Sequence, residues 1–286
     1  MTLSLSRMTA DDVDNAAAIA LAAYGRPYSP HDIRRYLALQ PDGWLMARID
    51  GTPAGIGGIT AYGQHAVVGL MATHPDFQRR GVATSLLATL LAYADVWGVR
   101  SVALDATEEG AALYRRHGFV QVDRTVVWGL MGSPVAWRAQ RTAQTVVAEG
   151  AGTTELAAIA ALDAEVFGAN RARLIASLLE ERPGRACVVR DRAGQASAYA
   201  VAQAGRVGPA AAGSAADAAA LLDAVLKLHF EEPPRILVPE RNHLATAVLQ
   251  ARGFARQRST RYMVRGPASA PGNRSHLLGL ASFGLG

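Results

Sequence analysis

A predicted strand, a basic loop and a predicted helix follow one another between residues 66 and 96, and this unit constrains the fold more than any other stretch. The apolar run 66–73 has strand character and stops before Pro75, because proline cannot donate to a sheet ladder. After the loop, leucines at 86, 87, 90 and 91 mark one face of a helix over 82–96. This order predicts free N–H groups at a helix N-terminus, which attracts phosphate.

The loop itself carries a specific motif, Gln78-Arg79-Arg80-Gly81-Val82-Ala83, with small residues where a diphosphate would approach the backbone. It resembles the Q/R-x-x-G-x-G/A signature of the GCN5-related N-acetyltransferase (GNAT) superfamily. In that family the strand binds the pantetheine of acetyl-CoA and the loop binds its pyrophosphate. The resemblance implies acetyl-CoA as co-substrate, bound by Met71, Ala72, Thr73, Gln78, Arg79, Arg80, Gly81, Val82, Ala83 and Thr84. An arginine-rich structural turn, or a loop for another diphosphate, is the alternative.

A second motif, residues 111–119, reads Ala-Ala-Leu-Tyr-Arg-Arg-His-Gly-Phe. It is similar to the A-x-x-L-Y-x-x-x-G-F element of the same family, whose tyrosine points at the thioester sulfur. The resemblance implies that Tyr114 protonates the departing CoA thiolate, since a phenol can donate a proton or a hydrogen bond to sulfur. The alternative is that Tyr114 is a packing residue.

The general base is predicted among three acids, one at the end of a predicted strand over 99–105 and two in the loop that follows. Asp105 corresponds to a position where several family members carry a catalytic glutamate, and its shorter side chain suggests action through water. Glu108 and Glu109 could instead steer a cationic acceptor, and all three acids could cap the next helix at its N-terminus. His74 titrates in the range of a base, but the matching family position is usually structural.

Patterning before the strand–loop–helix unit predicts one strand, two helices and a hairpin, at 3–8, 12–23, 29–39, and 44–49 with 53–62. This order matches the GNAT topology. Tyr24 and Tyr28 lie in the loop that forms one wall of the acceptor site in family members, so they either contact the acceptor or pack against the core.

A weak internal repeat follows, because segments of the second half echo segments of the first, at 154–168, 181–184, 186–190 and 242–254. The second copy has no basic residue in its loop at 207–214, and Leu249 stands where Tyr114 stands in the first. The chain resembles bacterial two-domain acetyltransferases whose C-terminal half is degenerate. The resemblance implies an α/β fold of tandem GNAT domains, each a mixed, mostly antiparallel twisted sheet flanked by helices, with the second copy structural or a wall of the first site.

Three regions are predicted on this basis: a catalytic domain at 1–132, a degenerate GNAT-like domain at 145–265, and a linker with a docking C-terminal segment at 266–286. Residues 276–286 are apolar, and leaving their leucines and phenylalanine in water would be unfavourable by about 1.5–3 kcal/mol each. We expect this tail to pack as an added strand or plug between the domains, shaping the acceptor pocket, or as an edge strand of the second sheet.

Composition excludes several other classes. The net charge is +5, but the arginines are scattered without a recognition motif, so no nucleic-acid partner is predicted. No apolar run reaches membrane-spanning length, which predicts a cytoplasmic protein without a membrane partner. The single cysteine, Cys187, lies in an apolar run and excludes a disulfide framework or a cysteine-based metal cluster, and no metal site is predicted.

The predicted activity is acetyl-CoA-dependent transfer of an acyl group to a primary amine of a small molecule, by direct attack in a ternary complex. A protein N-acetyltransferase acting on an α-amine or lysine is the second hypothesis, and a non-catalytic acyl-CoA-binding sensor is the third. The intact loop together with Tyr114 favours an enzyme over a sensor. The sequence does not identify the acceptor amine, the acyl group or the number of subunits.

Overall fold

A computed structural model describes residues 1–131, 146–267 and 271–286. The strands are β1 (Leu3–Arg7), β2 (Trp44–Ile49), β3 (Thr52–Tyr62), β4 (His65–Thr73), β5 (Ser101–Ala106), β6 (Val120–Leu130), β7 (Ala148–Ala151), β8 (Ala186–Arg190), β9 (Ala196–Ala202), β10 (Arg206–Ala212), β11 (Arg235–Pro239), β12 (Phe254–Arg265) and β13 (Leu277–Gly279). The α-helices are α1 (Val13–Tyr24), α2 (Pro30–Leu39), α3 (Val82–Val96), α4 (Ala111–Arg116), α5 (Leu156–Phe167), α6 (Ala172–Glu181), α7 (Ala215–Val225) and α8 (His243–Gln250).

The element order of the first half recurs in the second, which confirms the predicted repeat. Each half runs from a strand through two helices and three antiparallel strands to a helix, a strand and a short helix. The first long helices end alike, α1 at Gly25 with φ 66° and α5 at Gly168 with φ 87°. Glycine adopts this left-handed conformation without steric cost, so it ends both helices at the same point of the fold.

The strands of both halves join in one sheet with the order β1-β2-β3-β4-β5-β12-β6-β11-β10-β9-β8-β7, and β13 pairs with β10. Pairing is antiparallel except between β4 and β5 and between β10 and β11. The mixed, mostly antiparallel character is therefore as predicted. The sequence indicates a sheet for each half, whereas the structure merges them into one.

The merger occurs because the two halves exchange their last long strands. β12, from the second half, lies between β5 and β6, and β6 lies between β12 and β11. Left alone, either strand would present a row of unpaired N–H and C=O groups at a sheet edge. Exchange satisfies both edges at once, so the halves are interlocked.

Cores lie on both faces of the sheet, as alternation along β2 shows. Trp44 and Met46 pack into a core that α1, α2, α5 and α6 share, while Leu45 and Ala47 face a core beneath α3 and α4. A further core lies beneath α7 and α8 and includes the buried Cys187. One face thus belongs to both halves in common, and the other face is divided between them.

The C-terminal tail lies where the halves meet. β13 pairs antiparallel with β10, and the chain then continues across to the first half. There the Tyr62 hydroxyl donates to the carbonyl of Leu285 at 3.0 Å, and a Cβ at Gly69 would come within 2.1 Å of the Cα of Gly284. The leucines of the tail are each about 1% exposed, at 277, 278, 280 and 285.

The predicted domain limits at 132 and 145, and positions 268–270 of the predicted linker, lie outside the described residues. Among the helices that are described, none has the length and apolar character needed to cross a membrane.

Candidate functional site

The centre of the first half is a cleft between β4 and β5. These parallel strands pair only over 65–67 with 101–103, and the described residues show no pairing between them beyond that point. Leu70 and Met71 face the single residue Gly57 in a β-bulge, and Leu70 has φ 52°. A bulge bends its strand and increases the local twist. The strands therefore diverge toward their C-terminal ends.

The basic loop stands at the end of this cleft, at the N-terminus of α3. Gly81 caps the helix with φ 82°, no side chain caps it, and its first turn contains no acidic residue. The N–H groups of the first turn, 82–84, therefore have no partner within the helix. A Cβ at Gly81 would meet nothing within 4 Å, so the approach to these groups is open.

The two arginines of the loop face solvent. Arg79 has φ 61°, and the guanidinium carbon of Arg80 lies 5.5 Å from the centroid of the Phe77 ring. Gln78 and Thr84 are exposed as well, whereas Val82 is buried and Ala83 is partly buried. Two cations beside free N–H groups at a helix N-terminus are suited to a diphosphate.

The predicted pantetheine-binding residues lie on β4. Met71 accepts a hydrogen bond at its carbonyl from the Tyr24 hydroxyl at 2.9 Å, which ties the end of α1 to the bulge. Ala72 is buried, and Thr73 pairs with Gly55 of β3. The opposite edge of this stretch faces the cleft.

A cavity of about 970 Å³ lies beside the cleft, between the two halves. Met71, Asp105 and Tyr114 all line it, so the structure brings these three predicted residues to one place. The second half supplies much of the opposite wall, including Gln203 and Thr260. The predicted loop residues 78–84 lie apart from this cavity, at the far end of the cleft.

Tyr114 lies on α4 and is 8% exposed, with its ring 5.9 Å from that of Phe119. Burial raises the pKa of Tyr114 to about 12, so the phenol is protonated at neutral pH. Tyr24 is close enough for the two phenols to influence one another, and burial raises its pKa further still. Both phenols therefore stay protonated in the physiological range.

Asp105, near the C-terminal end of β5, accepts a hydrogen bond from the Thr260 hydroxyl at 2.8 Å. Burial raises the pKa of Asp105, while the charge of Arg274 and the hydrogen bond from Thr260 act in the opposite direction. A carboxylate with a raised pKa is a stronger base, which suits proton abstraction near neutral pH. Thr260 lies on β12, so a residue of the second half tunes the predicted base of the first.

Two other candidates have structural partners. Glu108 accepts hydrogen bonds from Arg124 at 3.0 Å and from Arg261 at 2.7 Å, and Arg261 holds the pKa of this carboxyl below its usual range. Its charge is therefore neutralised by the protein rather than offered to a cationic acceptor. His74 accepts from the N–H of Asp76 at 3.3 Å and caps a short turn.

The second half has the same cleft, but its own tail occupies it. β10 and β11 pair only over 206–207 with 235–236, and a bulge follows. Beyond it, β13 pairs with β10, and the N–H of Leu280 donates to the carbonyl of Leu237 on β11 at 2.9 Å. At the N-terminus of α7, the Ser214 hydroxyl accepts from the N–H of Asp217 at 3.1 Å. Groups on β10, on β11 and at the N-terminus of α7 thus have hydrogen-bond partners from the second half itself.

Sequence reasoning missed the second-half residues that face the first site, among them Thr260, Gln203 and Arg258. No local pattern marks them, because their position depends on the exchange of β12 and on the tail crossing the junction. Phe283 of the tail also lines the cavity, and the guanidinium carbon of Arg258 lies 5.2 Å from the centroid of its ring.

Comparisons with known proteins bear on both halves. A profile described as the acetyltransferase (GNAT) family matches residues 11–119, and one described as an acetyltransferase (GNAT) domain matches residues 159–279. A comparison with curated proteins finds no significant match.

Solved structures share the whole architecture. A candidate acetyltransferase from Pyrococcus horikoshii superposes with a TM-score of 0.85 at 25% identity, over 99% of this chain and 96% of that one. A GCN5-related N-acetyltransferase from Sphaerobacter thermophilus gives a TM-score of 0.68 at 15% identity, over 92% and 95%. Another, from Anabaena variabilis, gives a TM-score of 0.60 at 14% identity, over 92% of this chain and 72% of that one. The chain therefore belongs to the GCN5-related N-acetyltransferase superfamily of acyl transferases and carries two domains of that fold in tandem.

Proposed function

We propose that the chain is an acetyl-CoA-dependent N-acyltransferase that modifies a primary amine of a small molecule by direct attack in a ternary complex. One observation carries this proposal: β4 leads from the cavity, at Met71, through one short turn at Pro75–Phe77 to the basic loop at 78–81. A ligand lying along β4 would reach both the free N–H groups of α3 and the cavity that holds Asp105 and Tyr114.

The residues present suit acetyl-CoA as co-substrate. The exposed N-terminus of α3, with Arg79 and Arg80 beside it, matches a pyrophosphate in charge and hydrogen bonding. The cleft edge of β4 at 71–73 offers backbone groups to the amides of pantetheine. Bound acetyl-CoA would supply an acyl group activated as a thioester.

Asp105 is the proposed base. A free alkylammonium has a pKa of about 10, so the acceptor must lose a proton before it can attack. Asp105 would take that proton, directly or through one water, and its raised pKa favours this transfer. The amine nitrogen then bonds to the acyl carbon as the carbon–sulfur bond breaks, and the second proton that the nitrogen loses on forming the amide would leave with the thiolate as the free thiol of CoA. A strand N–H near 71–73 would stabilise the charge on the acyl oxygen.

Tyr114 is the proposed donor to the departing sulfur. Its pKa is about 12, whereas a free thiol has a pKa near 8.5. The equilibrium constant for complete proton transfer from the phenol to a thiolate would therefore be about 1000- to 10,000-fold unfavourable. Donation of a hydrogen bond without transfer still stabilises the developing thiolate. We infer that Tyr114 acts in this way.

The test is release of CoA, measured with a thiol reagent, for a panel of small amines, polyamines and peptides. The proposal predicts turnover with small amines. Turnover with peptides alone would identify a protein N-acetyltransferase, although a cavity bounded by both halves favours a small acceptor. Saturable acetyl-CoA binding without release for any amine would identify a sensor and contradict the proposal.

A further inference from the structure

Most charged side chains that line the cavity are engaged in ion pairs of the protein. Glu181 lies 2.8 Å from His31 and also binds Arg35, and Glu231 lies 2.9 Å from Arg182. Arg35 in turn lies 2.8 Å from Asp32. These groups neutralise one another at the rim, so they define the wall without selecting a charged ligand.

Three other cations that line the cavity have no such ion-pair partner in the part of the chain that the structure describes. Arg26, Arg235 and Arg258 line the cavity, and within the described ranges no carboxylate lies within ion-pair distance of any of them. The guanidinium group of Arg258 lies over the ring of Phe283, which holds the cation at the cavity wall. Burial, together with the charges of Arg26 and Arg235, lowers the pKa of Arg258, so both of these cations lie near enough to act on Arg258.

The carboxylates near these cations leave an excess of positive charge. Only Asp105 and Glu232 among the described cavity residues lack an ion pair, against three unpaired arginines. The charge of Asp105 acts on Arg258, so the arginine cluster and the proposed base share one region of the cavity. Holding like charges together is unfavourable unless a counter-charge binds, and a bound ligand can supply it.

We propose that the acceptor is a primary amine that also carries an oxyanion group, a carboxylate or a phosphate, which binds at Arg258 with Arg26 and Arg235. The ammonium end of such a ligand faces Asp105. This inference rests on the proposed function. The planar guanidinium group donates two parallel hydrogen bonds to a carboxylate or phosphate, so Arg258 supplies orientation as well as charge.

The experiment compares amines of one skeleton that differ in charge: β-alanine with β-alaninamide, and O-phosphoethanolamine with ethanolamine, with putrescine as the dication. We expect kcat/KM for the anionic member of a pair to exceed that of its neutral partner by about 10- to 100-fold, as for hydrogen bonds between charged groups. The two pairs separate a carboxylate acceptor from a phosphate acceptor.

Arg258→Met keeps a stem that can pack on Phe283 and removes the charge. In this variant the ratio of kcat/KM for the anionic over the neutral amine falls toward one, and Arg258→Lys restores part of it. Arg26→Met tests the cluster independently of β12. The matched control is Arg192→Met, an exposed arginine outside the cavity, which keeps the wild-type ratio. Calorimetry with acetyl-CoA accompanies each variant.

Preference for the neutral amines or for putrescine, with CoA release intact, overturns this inference and leaves the proposed function standing. An Arg258→Met variant that loses acetyl-CoA affinity instead of acceptor selectivity also overturns it, because the cluster would then bind a phosphate of CoA. If no amine supports CoA release, the proposed function fails first and this inference fails with it.

Discussion

The two halves share one cleft geometry and use it differently. In each, a parallel strand pair, β4 with β5 or β10 with β11, separates after two or three residues, and a β-bulge follows in the first strand of the pair. The first cleft leaves the edge of β4 free toward a ligand, whereas β13 fills the second with hydrogen bonds to β10 and β11. Within the described residues, the same strand geometry thus accommodates an unpaired edge in the first half and a packed strand in the second.

The helix N-termini beside the two clefts also differ, since the first is uncapped and the second is capped by a side chain of the chain itself. α3 begins at Gly81 without a side-chain cap or an acidic residue in its first turn, and basic residues precede it. α7 begins at Ser214, whose hydroxyl caps the N–H of Asp217, and Asp217 adds a negative charge. One terminus attracts anions and the other is neutralised within the chain.

Although β13 fills its own cleft, the second half contributes side chains to the cavity beside the first cleft. Through the exchange of β12, it places Thr260 on the carboxylate of Asp105 and Arg258 in the cavity wall. We therefore propose that the first half binds acetyl-CoA and that both halves contribute to the acceptor site.

The largest effect is expected from emptying the second cleft. Leu278→Ala removes a side chain that is 1% exposed at the centre of β13 and should lower the free energy of unfolding by about 2–5 kcal/mol. Urea denaturation measures this difference. Leu244→Ala is the matched control, because Leu244 is 41% exposed and should cost less than about 0.5 kcal/mol. Equal losses for the two leucines would show that β13 is not a packed element.

The next prediction concerns the open terminus of α3. Gly81→Asp adds bulk and a negative charge where the pyrophosphate should bind, so acetyl-CoA affinity should fall about 100-fold or more. Calorimetry measures the loss, and Gly81→Asn separates charge from shape and backbone conformation. Gly213→Asp makes the same change beside α7 and should leave affinity as it was. Undiminished binding in Gly81→Asp would remove this loop from the site.

A smaller effect, on rate alone, is expected at Tyr114. Tyr114→Phe should lower kcat by roughly 10- to 1000-fold while acetyl-CoA affinity stays nearly constant, because only the contact to the leaving sulfur is lost. Tyr93→Phe, in the C-terminal part of α3 and outside the cavity lining, is the control. Wild-type kcat in Tyr114→Phe would return this tyrosine to a packing role.

The smallest effect is a shift in the pH profile. Activity should fall as the pH drops through the raised pKa of Asp105, because the base must be ionised. Thr260→Val deletes a hydrogen bond that lowers this pKa, so the acidic limb should move upward by about one pH unit. Ser259→Ala, the neighbouring position, should not move it, and Asp105→Asn should abolish the limb. Coincident profiles for all four proteins would exclude Asp105 from the mechanism.

Much of the first half could be predicted because its signals are local. The hairpin at Asp50-Gly51, the helix Val82–Val96 and the loop before it each follow from a few adjacent residues, and the structure has these elements at the predicted positions. The exchanged strands could not be predicted in the same way. The residue patterns of β6 and β12 predict strands but do not indicate which neighbouring strands they pair with. Their pairing with each other joins segments that are far apart in the sequence and become adjacent only in the folded chain.

We propose that the first of the two clefts binds acetyl-CoA, while the tail closes the second. Isothermal titration of the full chain with acetyl-CoA distinguishes the two clefts. We expect one site per chain, lost in Gly81→Asp and retained in Gly213→Asp. Two sites per chain, or a single site that survives in Gly81→Asp and disappears in Gly213→Asp, would contradict it.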